Sequence, residues 1–273
     1  MLYSSFKNSF YRYHPYKFPE KGFKKNIENV SKAKLSSFYY KNVIPSSIFI
    51  SVAGNFEKKE LAKLIKKNFD MFKYVEKKEF KIDWEPPNEE STLSYSININ
   101  LSWVMLGYSA PSVKSPDYPA MRVISSYLSE GIASRMWVEL REKRALAYDL
   151  GVLYPQQEGP SHIVFYSVSS ADKVDDCRRQ IFSIVNNLKR NSMTEAELQE
   201  IKSKIMGKYI VSQEERENIS DETGVFEAYN LGYRYNWVLM QKIEHLTTED
   251  IKRVADFYFN NYILITTQGA YGI

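Results

Sequence analysis

The 273-residue chain carries 37 basic and 33 acidic side chains, and its net charge of +4 is too mild to imply a nucleic-acid or membrane surface as partner. Hydrophobic residues at 44% and aromatics at 15% are enough for sizeable cores and exclude wholesale disorder. A single cysteine, Cys177, excludes an intramolecular disulfide, no apolar run is long enough for a membrane span, and the N-terminal MLYSSFKNSFYRYHPYKF lacks the apolar core of a secretory signal; the compartment stays open.

In chain order the pattern mixes helix and strand. Residues 31–42 read as a short helix with Leu35, Phe38 and Tyr39 on one face. SSIFISVAG (46–54) alternates and is β-branched, the pattern of a strand closed by Gly54. Residues 57–69 place Leu61, Leu64, Ile65 and Phe69 on one helical face. The charged stretch 74–91, with Pro86-Pro87, reads as a linker. Beyond it, 92–108 predicts one long strand or a strand pair, 117–128 and 131–143 helices, and 148–154 and 162–169 strands. Val174, Cys177, Ile181, Val185 and Leu188 form the stripe of another helix. Thr194 and Glu197 form a capping box opening a helix that buries Leu198, Ile201, Ile205 and Tyr209. Helices near 215–230, 235–244 and 247–259 precede a strand over 262–268.

Residues 30–55 and 246–270 share one plan of hydroxyl cap, helix, aromatic, short turn, β-branched strand and glycine. Gly54 and Gly269 lie 215 positions apart, and the caps Ser31 and Thr247 lie 216 apart. Two copies of one domain are therefore expected. The second has its full complement of elements, and the first lacks roughly 120 residues of its own, so its apolar faces cannot be buried by this chain alone. Helix–turn–strand units are also common enough for such a match to arise without duplication.

Chemistry-bearing residues are few. His14, His162 and His245 are too far apart in sequence for any two to form a helical ligand pair, and neither H-E-x-x-H nor H-x-x-E-H occurs. No nucleophile elbow, P-loop or dinucleotide fingerprint is present. Cys177 sits on an apolar stripe, the position of a structural thiol. Lysine–aromatic mixtures at 21–26 and 66–81 fit solvated surface, with single-stranded nucleic acid as the alternative. LREKRALAY (140–148) is the remaining candidate. Arg141 and Tyr148 are seven apart, so they point the same way along a helix or converge across a helix–strand corner. Such a pair could hold a peptide carbonyl or an oxyanion formed on it; equally, a helix-end Arg complements the dipole while a Tyr packs in the core.

The run 106–148, with "LGY.AP" (106–111), "PDY" (116–118), Ser134-Arg135 and LREKR.LAY, resembles the second half of the pitrilysin/insulinase-type zinc peptidases, the family that includes mitochondrial processing peptidase. Upstream, HPY (14–16), Gly22, SKAKLSSFY and a strand ending AGNF resemble the close of that family's first half. The resemblance implies an α/β (α+β) fold. Residues 1–73 would be the truncated end of a first peptidase-like domain, 74–91 a linker, and 92–273 a second, carboxy-terminal, non-metal-binding domain. It implies no metal or cofactor in this chain and no catalytic residue, with zinc supplied by a missing amino-terminal segment or a partner subunit. Arg141 and Tyr148 would bind a peptide or unfolded polypeptide, facing the zinc across a chamber. Where some relatives have a glycine-rich loop, this chain has only Ser129-Glu130-Gly131. A non-catalytic scaffold subunit of the same fold is the alternative expectation.

Overall fold

The computed structural model describes residues 2–69, 82–97 and 100–269. It divides into two compact units. One comprises the described residues of Met1–Lys17, Trp84–Tyr209 and Trp237–Ile273, the other those of Phe18–Asp83 and Ile210–Asn236.

The first unit is built on a five-stranded sheet: β1 (Ser91–Ile97), β2 (Ser102–Ala110), β3 (Asp149–Leu153), β4 (Ser161–Ser169) and β5 (Tyr262–Gly269). The spatial order is β1-β5-β2-β4-β3, with only β1 and β5 parallel. The stretch 92–108 is thus a strand pair whose members lie on either side of β5. Both faces of the sheet are covered. On one, Val104, Leu106, Ile163 and Phe165 are fully buried and Tyr108 nearly so. This is the side of helices α5 (Tyr118–Ser129), α6 (Val174–Asn191) and α10 (Thr248–Tyr258), which pack on the strands and on one another. All five residues of the predicted α6 stripe are buried, as the 3.6-residue period requires. The caps form as read: Thr247 and Asp250 bond reciprocally at the start of α10, and Thr194 and Glu197 do so ahead of α7 (Glu195–Ser212). In α7, Leu198 and Ile201 are buried, while Ile205 and Tyr209 are only half-buried. Lys202, also buried, reaches the carbonyls of Glu244 and Leu246 at 2.9 and 2.7 Å, satisfying the end of α9 (Tyr235–Glu244).

The opposite face is covered by α1 (Leu2–Tyr11), a helix not expected from the aromatic–lysine mixture at the N-terminus. Its Phe6, Phe10 and Tyr11 cluster with Met105, Val164, Ile263 and Ile265 from β2, β4 and β5. Each fully buried Phe contributes about 1.5–3 kcal/mol relative to exposure. Residues 2–17 thus fall in the compact unit of the sheet, and the described residues of 18–73 in the other. Gly107 makes this contact possible, because a Cβ there would overlap the ring of Phe6.

The second unit contains α2 (Lys24–Glu28), α3 (Lys32–Asn42), α4 (Lys58–Phe69) and α8 (Arg216–Ala228). Ser31 caps α3 by accepting from the Lys34 amide. The apolar faces read from sequence are on these helices, but they are open: Leu35, Phe38, Tyr39, Leu64 and Phe69 are all exposed. The expected strand 46–54 does not form. Pro45–Ser47 is a 3-10 turn, Ile48 after it is extended, and residues 48–53 have no strand partner among the described residues. Part of the expected linker (74–81) and most of the 66–81 patch (70–81) lie outside the described residues.

Candidate functional site

The LREKRALAY segment forms a tight corner between helix and strand. The helix starts at Arg135 and passes into a π-helical turn, Trp137–Glu142, where the Lys143 amide bonds back five residues to the Val138 carbonyl. Met136 and Leu140 are buried, whereas Ile132, within the expected helix 131–143, precedes the observed one and is 71% exposed. The helix closes with the Leu146 amide on the Leu140 carbonyl (2.7 Å) and the Ala145 amide on the Arg141 carbonyl (3.0 Å), with Ala145 at φ 50. The chain then enters β3, the Tyr148 amide joining the Val168 carbonyl at 2.8 Å. Neighbours fix the loop: Lys173 Nζ donates to the Ala145 carbonyl (2.9 Å), and the fully buried Cys177 thiol donates to that of Leu146 (3.7 Å). Burial raises the thiol's pKa, in keeping with a structural rather than nucleophilic cysteine.

The charges within this corner sort themselves. Glu139 is nearly buried and gathers Lys143 (2.9 Å), Arg144 (2.6 Å) and Arg135 (3.6 Å). Lys143 foremost, with Arg144 and Arg135, holds its carboxyl below the usual carboxylate range. Arg141 forms no ion pair with a carboxylate among the described residues. Its guanidinium lies over the Trp137 ring, 4.8 Å from the centroid, and one N–H donates to the backbone carbonyl of Tyr148. The Tyr148 side chain is 61% exposed. Arg141 and Tyr148 thus meet across the corner through the tyrosine's main chain, leaving its ring open to solvent. Trp137, beneath Arg141, was not singled out from sequence; an aromatic four positions before an arginine on a helix is the signal that pointed to it.

The histidines take three separate roles. His162 is fully buried, its Nε2 2.7 Å from the Tyr3 hydroxyl and its Nδ1 2.6 Å from that of Tyr11. Tyr11 donates to Gln157 Oε1 (2.8 Å) or to the Pro160 carbonyl (3.2 Å), so it accepts from Nδ1–H, and the Tyr3 hydroxyl donates to Nε2. Burial, helped by Lys7, pushes the imidazole down to about 3. His14 accepts from the Tyr16 amide in a loop, and His245 meets the Gln241 carbonyl at the end of α9. Among the described residues no three His, Cys, Asp or Glu side chains are grouped to hold a metal ion, and with both His162 nitrogens committed these residues do not fit zinc. No helix of the described residues is long and apolar enough to cross a membrane.

The peptidase M16 inactive domain matches residues 29–205, well over half of the sequence. The chain belongs to the peptidase M16 family. This M16 chain is 27% identical over 268 residues to the zinc protease PqqE of Helicobacter pylori, covering 96% of itself and 60% of that protein. It is 22% identical to an uncharacterized zinc protease of Mycobacterium leprae, covering 94% and 59%. It therefore spans about three-fifths of the length of the curated relatives it matches. Among solved structures, a protease from Helicobacter pylori superposes with TM-score 0.84 at 24% identity, over 98% of this chain and 66% of that one. An M16 inactive domain from Pseudomonas fluorescens gives 0.84 at 18% (99% and 65%), and a chain of complex III2 from Candida albicans 0.76 at 16% (97% and 66%). The mixed α/β architecture is that of M16 carboxy-terminal domains, and the chain is an inactive M16 domain of a zinc protease family.

Proposed function

We propose that this chain is the substrate-binding, non-catalytic portion of a zinc metallopeptidase. Arg141 and Tyr148 clamp the backbone of an unstructured peptide, and the metal and the general base belong to another segment or a partner subunit. The observation that carries this reading is an exposed arginine, seated on Trp137 and unpaired with any described carboxylate, beside an open tyrosine ring. The guanidinium fork suits a peptide carbonyl or carboxylate, and the phenol adds one more donor. Both hydrogen bonds strengthen when negative charge develops on the carbonyl oxygen. Without the metal-bearing portion the chain has no peptidase activity of its own.

The test is binding of a fluorescein-labelled unstructured peptide, followed by anisotropy. Arg141→Ala weakens it about tenfold, equivalent to about 1.4 kcal/mol, and Tyr148→Phe by less. Unchanged affinity in both variants, with circular dichroism preserved, overturns the reading. Stoichiometric zinc binding with peptide cleavage by the purified chain would overturn it too.

A second reading is a scaffold subunit of the same fold. It is favoured by the Arg141 bond to the Tyr148 carbonyl, which braces the corner internally, and by the fold-level likeness to a chain of complex III2. On that reading Arg141→Ala lowers stability and leaves peptide binding and partner activity unchanged.

A further inference from the structure

Strand β3 is one edge of the five-stranded sheet. Among the described residues it pairs with β4 alone, and it follows Tyr148 directly. Asp149 stands opposite Val168 in the ladder, and the Val168 carbonyl also takes the Tyr148 amide. Two residues thus oppose one. This is a β-bulge, which bends the strand where it begins and leaves the Tyr148 ring 61% exposed. Beyond the bulge, the Leu150 amide donates to Asp149 Oδ1 at 2.9 Å, so it turns away from β4, and alternation turns the Val152 amide the same way. An outward amide whose partner is the exposed side chain before it can exchange that partner for the carbonyl of an added strand. The next position, Gly151, is covered by Tyr166 of β4: a Cβ there would meet the ring and its hydroxyl at 2.9 and 3.0 Å. The ring stacks on Trp103 (centroids 6.3 Å apart), and burial, with Asp149 beside it, raises the pKa of the phenol. Trp103 and Tyr166 therefore form an aromatic shelf that reaches the open edge across Gly151.

We propose that the peptide held by Arg141 and Tyr148 continues along β3 as an added strand, with an apolar side chain set beside Gly151 on the Tyr166 ring. This rests on the clamp reading above and deepens it, from a backbone-binding pair to a track with one selective position. Continuity decides the occupant. Tyr148 is the residue before β3, so a chain whose carbonyl meets Arg141 has the strand edge as its next neighbour. Main-chain bonds to the outward amides of Leu150 and Val152 take any extended sequence, which leaves discrimination to the side chain opposite the missing Cβ. An aromatic or aliphatic group there completes a cross-strand contact with Tyr166. It lies about two or three residues from the clamped carbonyl, the bulge counting once or twice. A second copy of this chain fits less well, because a pair of five-residue strands is a small part of the about 1,600 Å² that a stable interface buries.

The experiment adds to the full chain a fluorescein-labelled Thr/Ser-rich peptide carrying one phenylalanine, and follows amide exchange by NMR and affinity by anisotropy. At saturation the Leu150 and Val152 amides slow by about tenfold or more, while those of Gly151 and Leu153, which face β4, do not change. N-methylation of the peptide backbone, one residue at a time, weakens binding about tenfold at alternate positions around the phenylalanine and little at those between. Serine in place of the phenylalanine weakens it about fivefold. Both peptide series leave the protein unaltered, so a folding defect cannot imitate them. Peptide at millimolar concentration without protection of Leu150 and Val152 overturns the inference, as does N-methyl sensitivity without alternation. Equal binding of the serine peptide overturns the selective position. Protection already present without peptide overturns the inference too, in favour of a second copy if it grows with protein concentration and of a segment of this chain if it does not. If Arg141→Ala and Tyr148→Phe leave affinity unchanged while protection and alternation persist, the clamp fails and the added strand stands. Weakening by both variants without protection is the reverse.

Discussion

The ring of Phe6 occupies the space in which a side chain on Gly107 would stand. The motif glycine in LGY is thus a packing requirement, through which α1 reaches the face of β2. Phe6 is fully buried among aromatics, so it cannot swing aside. Gly107→Ala is expected to destabilise the sheet unit by about 1–3 kcal/mol. Gly107→Ala combined with Phe6→Leu recovers part of that loss. Urea unfolding of the three proteins, read by tryptophan fluorescence, checks both statements.

The neutral, doubly bonded His162 makes stability depend on pH. Its folded pKa, about 3, lies below the ordinary value of 6.5, so between these values the unfolded chain binds the extra proton. The contribution is complete above pH 6.5 and is lost as pH falls, by at most about 1.4 kcal/mol per unit. Glu139, Glu197 and Asp250, all lowered, add their losses only through the carboxylate range below. His162→Gln is therefore expected to flatten the slope of unfolding free energy between pH 6.5 and pH 5 while leaving the steeper acid limb. An unchanged slope would show that His162 titrates normally.

Ala145 holds a left-handed conformation (φ 50) at the helix end, where glycine is the unstrained residue. Relief of that strain exceeds the entropy glycine adds to the unfolded chain. Ala145→Gly should stabilise by about 0.5–1 kcal/mol, read as a higher urea midpoint with an unchanged m-value.

Trp137 supports Arg141 from below. Replacing it with Leu removes an attraction of about 0.5–1 kcal/mol and weakens labelled-peptide binding about two- to fivefold. Trp137→Phe keeps a ring face and restores most of the affinity. Equal weakening by Phe and Leu would mean that shape rather than the ring's charge distribution positions the guanidinium.

Much of the sheet unit was legible from sequence because its signals are local. The α6 stripe, the Thr194 and Thr247 boxes and the β-branched runs of β4 and β5 state their structure within a few residues. Helix α1 was not legible. Its Tyr3 and Tyr11 meet His162, 159 and 151 positions away, and without that contact the segment reads as an aromatic–lysine mixture. The alternation of 46–54 reads as a strand, but none forms there: a strand also needs a partner, and no described residue supplies one. At the candidate corner, the seven-residue spacing pointed to Arg141 and Tyr148. The Trp137 platform had a signal in its four-residue spacing to Arg141, whereas the π turn and the use of Tyr148's carbonyl depend on three-dimensional packing and left no spacing signature.

The placement of β5 has a consequence for synthesis. It is the last strand in sequence among the described residues, yet it lies inside the sheet between β1 and β2. Until it emerges from the ribosome, β1 has no neighbouring strand among the described residues and one edge of β2 is open, while the apolar side of α1 lacks Ile263 and Ile265. The sheet unit therefore folds after translation has passed Gly269, and a nascent chain stalled before that point presents two bare strand edges to chaperones or to aggregation.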